Sequence, residues 1–261
     1  MFKSTGGKAL LRLALTGLML AFLGSARSET LVASDLHTRL VVGFKVADAP
    51  VQRWLPAGWQ LNPPSAGPNR GANLILGFVD RLLNLDPTGK PIGGGRDRYL
   101  ALVVPAKQST GTQTGNIVIR VYTENTQLLP GAYKTSVLVK VLREHTESGH
   151  GVDLGVATDT WDVQDNAGGA IHLRVQYRRG TLARSTTEAK FFSPVQPDFF
   201  RIYRTQQGLD VVRSIPLGVD RVEDIEFKVS LGELTDIFDG TEQLLSVSES
   251  PWSMRDIFLP Q

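Results

Sequence analysis

The sequence predicts a mainly β protein with a mostly antiparallel sheet and a few short helices. Runs of about five to eight residues, rich in β-branched and aromatic side chains, recur along the chain. Short segments rich in Gly, Pro, Ser and Asn separate these runs, as is typical of strands joined by turns. The sequence shows no internal repeat of fixed length. The clearest predicted strands are RLVVGFKV, ANLILGFV, RYLALVVP, AIHLRVQY and FFRIY.

The first 26 residues have the layout of a secretory signal. Three basic residues precede an apolar run from Leu13 to Leu23, and small residues follow up to Ala26. The run is shorter than the about 20 apolar residues that a spanning helix needs. We expect cleavage near Ala26 and export, most simply to the periplasm, without stable insertion in the membrane. An uncleaved membrane anchor is the alternative.

Net charge and composition exclude several kinds of function for residues 27–261. The whole sequence carries a net charge of +2, and removal of the three cationic residues of the signal leaves −1 on residues 27–261. A nearly neutral protein has no electrostatic basis for binding nucleic acid. The absence of cysteine excludes disulfides, thiol nucleophiles and cysteine-ligated metals. Residues 27–261 are enough for a sizeable core, and we expect them to form a single β domain.

The stretch from Gly115 to Glu144 is predicted to form two apolar strands joined by a polar loop with a Pro-Gly turn. Its second strand, from Val137 to Leu142, is apolar on both faces, as is typical of a strand in the middle of a sheet. Short helices are predicted around Asp48–Leu55, with a proline in the first turn, and over Leu231–Phe238.

Lys140 is the one amine within that second strand. It lies between Leu138 and Leu142 on one face. Apolar surroundings disfavour a charged ammonium, lower the pKa of a lysine and make it a better nucleophile toward carbonyl groups. The alternative is a lysine whose stem packs while its amine reaches solvent or a carboxylate.

The predicted strand from Ala170 to Tyr177 has one apolar face and one polar face. His172, Arg174 and Gln176 alternate along the polar face. This face points either to solvent or into a polar cavity enclosed by a curved sheet. In a cavity, Arg174 would hold a ligand carboxylate through two parallel hydrogen bonds.

No metal or cofactor site is predicted. The four histidines lack the spacing typical of zinc ligands, and there is no G-x-S-x-G elbow. Asp236, Asp239 and Glu242 lack the alternating acidic loop of a calcium site. Gly93–Gly95 lacks the lysine and the helix of a phosphate-binding loop.

The order of several segments resembles the acetoacetate decarboxylase superfamily. Leu55–Trp59 is similar to its Leu-Pro-x-Gly turn, and Tyr99–Pro105 to its Tyr-x-Glu strand that ends in proline. Val121–Asn125 resembles the strand and Asp-Asn turn that follow, and Gly131–Thr135 falls where the family carries Gly-Phe-Pro-Lys-Lys. The resemblance implies a strongly curved antiparallel sheet, closed like a barrel around a small-molecule cavity, in a protein that forms homo-oligomers.

The same resemblance places the family's Schiff-base lysine at Lys134. The adjacent lysine of the family corresponds to Thr135, and its catalytic glutamate to Ala101. Without a neighbouring cation, like-charge repulsion does not lower the pKa of the reacting lysine. The resemblance therefore implies the fold without the standard decarboxylase site.

Three functional hypotheses follow. In the first, the exported protein binds a small organic or apolar ligand in an internal cavity, without decarboxylase activity and with no cofactor. In the second, it is a diverged lyase or decarboxylase that forms a Schiff base with a small keto acid. In the third, it is an envelope interaction protein without a ligand. That protein would expose Trp54, Trp59 and Trp252.

Five residues are the candidates for the first two hypotheses. Lys134 and Lys140 are the candidate Schiff-base lysines, and Glu124 is the candidate acid or base. Arg174 and Tyr122 are the candidate ligand-binding residues. The residues alone leave open whether the protein is an enzyme.

Overall fold

The computed structural model describes residues 29–128, 133, 135–150 and 154–260. These residues form two β-sheets with one short α-helix and three 3-10 turns, which confirms the predicted mainly β fold. The predicted signal segment lies outside the described residues. The strands are β1 (Thr30–Lys45), β2 (Trp59–Leu61), β3 (Leu74–Leu85), β4 (Asp97–Gln108), β5 (Thr114–Thr123), β6 (Ser136–Leu138), β7 (Lys140–Ser148), β8 (Val156–Gln164), β9 (Ala170–Arg178), β10 (Ala183–Phe192), β11 (Phe200–Ser214), β12 (Val219–Asp220), β13 (Val222–Val229) and β14 (Gln243–Leu259).

The larger sheet closes on itself as a ring of seven strands. Each strand pairs with the next in the order β4, β3, β1, β14, β11, β10, β5, and β5 pairs with β4 to complete the ring. The pairings are antiparallel except for β10 with β5, which is parallel and joins Phe191 to Asn116 and Phe192 to Ile117. This closure confirms the strongly curved, barrel-like sheet that the resemblance implied.

The smaller sheet, in the order β13, β9, β8, β7, packs against the outer face of the ring. Side chains alternate along the ring strands, so that on β1 Leu40, Val42 and Phe44 face this second sheet. The rings of Phe78 and Trp161 meet between the sheets, with centroids 5.6 Å apart. The main hydrophobic core therefore lies outside the ring, and the other face of the same strands points to its interior.

The predicted pair of strands between Gly115 and Glu144 needs a correction. The first strand is β5 as predicted, but the second is interrupted at Val139, giving β6 beside β5 in the larger sheet and β7 at the edge of the second sheet. A central strand was the wrong prediction. One face carries buried Val141, but Leu138 and Leu142 remain 53% and 52% exposed.

One of the two predicted helices is present and the other is not. The helix expected around Asp48–Leu55 is present as α1 (Asp48–Gln52). The helix expected over Leu231–Phe238 is wrong, because the segment forms a single 3-10 turn at Gly232–Leu234. Leu234 and Ile237 donate their N–H groups to the carbonyl oxygens three residues back, as in a 3-10 turn, and both side chains are buried. The other 3-10 turns are Thr126–Leu128 and Ile215–Leu217.

Candidate functional site

A pocket of about 500 Å³ opens on the inner face of the ring, and all seven ring strands contribute to its wall. This volume lies within the range of about 300–1,000 Å³ that is usual for small-molecule sites. One end includes Ile92 and Leu128, from the loop after β3 and the turn after β5. Most of the wall is apolar: Val32, Ala33, Val41, Ile75, Gly77, Val79, Ala101, Val103, Val118, Val121, Phe191 and Ile257.

Alternation along β1 directs charged side chains into the ring. Asp35 and His37 are buried, and Arg39 follows them in the pocket wall. The residues between them point outward, so that Leu36 is 37% exposed. Because side chains alternate along a strand, the three polar side chains of β1 all point to the interior of the closed sheet.

Asp35 is the centre of the buried polar cluster. Its Oδ1 atom lies 2.7 Å from Nδ1 of His37, and its Oδ2 atom accepts hydrogen bonds from Nε (3.1 Å) and Nη2 of Arg255. Arg81 lies 3.9 Å from Oδ2. Burial alone would raise the pKa of Asp35, but Arg255, His37 and Arg81 outweigh it and hold the pKa well below its usual range. Asp35 is therefore a carboxylate that balances cationic neighbours.

His37 is neutral in this cluster. Burial lowers its pKa to about 4, although the hydrogen bond with Asp35 acts in the opposite direction. Because its Nδ1 atom then donates to Asp35, the Nε2 atom carries the lone pair. That atom is buried without a hydrogen-bond partner among the described residues.

Two of the four pocket arginines are paired with carboxylates. Arg255 bonds to Asp35, and its Nη2 atom also donates to the hydroxyl of Tyr99 at 3.1 Å. Arg81 lies 3.2 Å from Asp97, and its guanidinium lies 5.0 Å from the centre of the Tyr99 ring. Burial lowers the pKa of each arginine, but the nearby acidic groups outweigh it and leave both pKa values raised.

The other two arginines, Arg39 and Arg201, form no ion pair with a carboxylate in the part of the chain that the structure describes. Arg39 donates to the neutral amide oxygen of Gln207, which also accepts from Ser250 at 3.0 Å. The Nε atoms of both arginines are buried without a hydrogen-bond partner there. Burial and repulsion from Arg255 lower the pKa of Arg39 to about 10. Both groups are therefore cations that no described acid neutralises.

Aromatic side chains form the wall beside Arg201. Phe191 stacks on Tyr203 with centroids 4.6 Å apart, and the guanidinium of Arg255 lies 4.7 Å from the centre of the Tyr203 ring. The hydroxyl of Tyr133 donates to the carbonyl oxygen of Phe191 at 3.1 Å. Together with the apolar wall, these rings suit a ligand that has a hydrocarbon part and an anionic group.

Of the five sequence-predicted site residues, the structure describes four, and none of these four lines the pocket. Tyr122 is buried between the sheets, where its hydroxyl donates to Glu233 at 2.5 Å. Burial, followed by the contact with Glu233, raises the pKa of Tyr122. Glu124 is exposed at the end of β5, and its Oε1 atom accepts weakly from the backbone of Val141 at 3.4 Å. The neighbouring Lys140 is exposed.

Arg174 lies on the outer face of the second sheet. It pairs with Asp224 and donates to the side chain of Gln176 at 3.2 Å. It does not contribute to the pocket wall. Of the two orientations that the sequence left open, the geometry favours the solvent-facing one.

Lys134 lies outside the described residues. Its neighbours Tyr133 and Thr135 are both buried, and Tyr133 contributes to the pocket wall. Ala101, the counterpart of the family's glutamate in the resemblance, also lines the pocket. Two of the segments that carry the resemblance, Tyr99–Pro105 and Gly131–Thr135, therefore contribute residues to this pocket.

Sequence reasoning missed the arginines and Asp35. The alternation of Asp35, His37 and Arg39 has the same spacing that drew attention to Arg174, so the signal was present. Arg255 follows Ser253 in the same inward register on β14, where both side chains are buried. The spacing did not show which alternating strand would face a closed interior.

The three tryptophans of the third hypothesis, Trp54, Trp59 and Trp252, differ in exposure. Trp59 is buried and contacts Phe192, with centroids 4.8 Å apart. Trp54 is partly buried, with Arg120 4.9 Å from the centre of its ring. Trp252 is 38% exposed.

Two further properties concern the described residues as a whole. They contain no group of three His, Asp or Glu side chains placed to hold a metal ion. No helix formed by them has the length and apolar character to cross a membrane.

Solved structures with this architecture are known. An acetoacetate decarboxylase-like enzyme from Sphingomonas wittichii RW1 superposes with a TM-score of 0.57 at 12% identity, over 95% of this chain and 98% of that one. The enduracididine biosynthesis enzyme MppR complexed with pyruvate gives 0.56 at 11% identity, over 93% and 94%.

MppR complexed with the condensation product of pyruvate and imidazole 4-carboxaldehyde gives a TM-score of 0.56 at 10% identity, over 90% of both chains. No protein-family model matches the sequence, and none of the curated proteins does. These likenesses show that the chain has an acetoacetate decarboxylase-like fold.

Proposed function

We propose that this protein binds a small organic carboxylate in the pocket of the ring. The observation that supports the proposal is a surplus of positive charge. Four arginines line the pocket, whereas Asp35 and Asp97 are the carboxylates that pair with them among the described residues. A guanidinium removed from water without an anionic partner is costly, and a bound carboxylate would offset that cost.

The chemistry of the wall suits this ligand class. The planar guanidinium group matches a carboxylate through two parallel hydrogen bonds. The apolar side chains around it would cover the hydrocarbon part of the ligand, as in most small-molecule sites. The pyruvate bound to MppR is a carboxylate of this kind, in a protein of the same fold.

Arg39→Gln tests this proposal. A charge-assisted hydrogen bond contributes about 1.5–3 kcal/mol, so we expect the variant to weaken carboxylate binding by about tenfold or more. Isothermal titration calorimetry with a series of short carboxylates and keto acids measures the loss. Arg53→Gln is the matched control, because Arg53 is an exposed arginine that pairs with Asp236 outside the pocket. Equal affinities in R39Q and the wild type, or no binding of any acid, would contradict the proposal.

A diverged Schiff-base enzyme is the second candidate function. Tyr133 in the pocket wall and buried Thr135 flank Lys134 in the chain, which favours Lys134 over the exposed Lys140 as the reacting amine. The amine would add to the ketone of a keto acid and lose water to form an iminium ion. A protein of the same fold, MppR, is complexed with a condensation product of pyruvate, which supports this candidate.

Borohydride trapping separates the enzyme from the binding protein. With pyruvate or a related keto acid, reduction of the iminium ion would leave a permanent mass on the wild-type chain. We expect Lys134→Gln to abolish the adduct and Lys140→Gln to retain it, as judged by intact mass and peptide mapping. No adduct across a panel of keto acids would leave the binding function alone.

Export is part of the proposal. The predicted signal implies that the mature protein begins near Arg27 and occurs outside the cytoplasm. Native mass spectrometry of protein purified from the periplasm would give the cleavage position, the oligomeric state and the mass of any co-purifying ligand. A full-length chain that remains with the membrane fraction would support the uncleaved anchor instead.

A further inference from the structure

The four arginines of the pocket fall into two groups, one paired with carboxylates and one not. Arg81 and Arg255 share Asp35 and Asp97, so the inner cluster is balanced. The remaining cations are Arg39 and Arg201, which pair with no carboxylate in the described chain. The question is whether one anionic group of a ligand can neutralise both.

Arg39 and Arg201 are held apart along β11. The guanidinium group of Arg39 donates to the side chain of Gln207 on that strand. Gln207 and Arg201 are separated by about 20 Å of extended strand, at about 3.3 Å per residue. The two arginines thus contribute to one pocket at well-separated positions.

Much of the rest of the pocket wall is apolar. It includes Ala101 and Val103 on β4 and Val118 and Val121 on β5. None of these side chains can hydrogen-bond to an anion. Each arginine instead has its own polar surroundings, since Gln207 holds Arg39, and Asn116 lines the pocket beside Phe191, the cross-strand partner of Arg201.

We propose that the ligand carries two anionic groups joined by an apolar segment, one group bound to Arg39 and the other to Arg201. This inference rests on the proposed binding function and names its ligand class. A dicarboxylate fits the arrangement, as does a short carboxylic acid with a phosphate ester, because guanidinium groups bind both anions through paired hydrogen bonds.

Matched pairs of acids test the inference. Succinate, glutarate and adipate are compared by calorimetry with butyrate, pentanoate and hexanoate, and phosphoglycolate represents the phosphate esters. At one length or more, we expect the dianion to bind about tenfold or more tightly than the monoanion of the same length. Preference for phosphoglycolate over every dicarboxylate would assign the second group as a phosphate.

The variants R39Q and R201Q locate the two contacts. Each is expected to remove the preference for the dianion, whereas Arg201→Lys, which keeps the charge, retains part of it. R53Q is the control outside the pocket, and the circular dichroism spectrum of each variant checks folding. Equal affinity of the wild type for matched monoanions and dianions would overturn the two-anion ligand while leaving carboxylate binding intact. A preference that persists in R201Q would also overturn it. No binding of any acid would overturn both proposals.

Discussion

Strands β1 and β9 carry nearly the same polar pattern, yet they place it in opposite surroundings. On β1, Asp35, His37 and Arg39 alternate and point into the closed ring. On β9, His172 and Arg174 alternate on the outer face of the second sheet. Each strand buries its other face in the same hydrophobic core between the sheets. The polar faces therefore differ in surroundings although their spacing is the same.

Two histidine–aspartate pairs make the comparison quantitative, one within β1 and one that joins His172 of β9 to Asp162 of the neighbouring β8. His37 and Asp35 lie 2.7 Å apart with both side chains 0% exposed, and His172 and Asp162 lie 2.7 Å apart with 27% and 31% exposed. Coulombic interactions between solvent-exposed charges are weak, whereas those between buried groups are strong enough to set which groups are charged. Equal distances therefore predict unequal energies.

Replacing the aspartate of each pair should give the largest difference in the free energy of unfolding. Asp35→Ala leaves the buried Arg255 without its carboxylate, so we expect a loss of about 3–5 kcal/mol in the free energy of unfolding. Asp162→Ala breaks a partly exposed pair and should cost about 1 kcal/mol or less. Chemical denaturation of both variants measures the two values. Similar losses would mean that the ring interior is as hydrated as the outer face.

The loss of folding stability in acid should show the next largest difference between the two pairs. The pKa of His37 is about 4 in the folded protein and 6.5 in the unfolded chain, so the unfolded chain takes up the proton first. The stability that depends on neutral His37 is thus complete above pH 6.5 and is lost as the pH falls toward 4. His37→Gln keeps a donor for Asp35 but cannot be protonated.

We therefore expect the stability difference between wild type and H37Q to change by about 3 kcal/mol in favour of the variant between pH 6.5 and 4. Denaturation curves at several pH values measure it, and taking the difference cancels the carboxyl groups that titrate in both proteins. His172→Gln, from the exposed pair, is the control. A constant difference across this range would show that the pKa of His37 is the same in the folded protein and the unfolded chain.

The sequence predicted the strands well because a strand is a local pattern. The β-branched and aromatic content of RLVVGFKV and the alternation within AIHLRVQY are enough to identify β1 and β9. Closure of the ring is not local, since the parallel contact of β10 with β5 joins Phe191 to Asn116, which are distant in the chain. Only the fold class implied by the resemblance anticipated it.

The candidate site depended on that closure. Arg39 and Arg174 have equivalent positions in their alternating patterns, and only the closed ring makes one of them a pocket residue. Arg201 and Arg255 come from strands late in the sequence, and no spacing connects them to Arg39. The interruption at Val139, which moves β7 into the second sheet, likewise depends on how the two sheets pack.

Arg174→Gln should have the smallest effect. Arg174 pairs with Asp224, which is 62% exposed, so the free energy of unfolding should change by about 0.5 kcal/mol or less. Carboxylate affinity should equal that of the wild type, in contrast to the tenfold loss expected for R39Q, because Arg174 is absent from the pocket wall. Calorimetry of the two variants with the same acid makes the test. If R174Q weakened binding while R39Q did not, the outer face of the second sheet would be the ligand site, and burial would be the wrong criterion for choosing between the two strands.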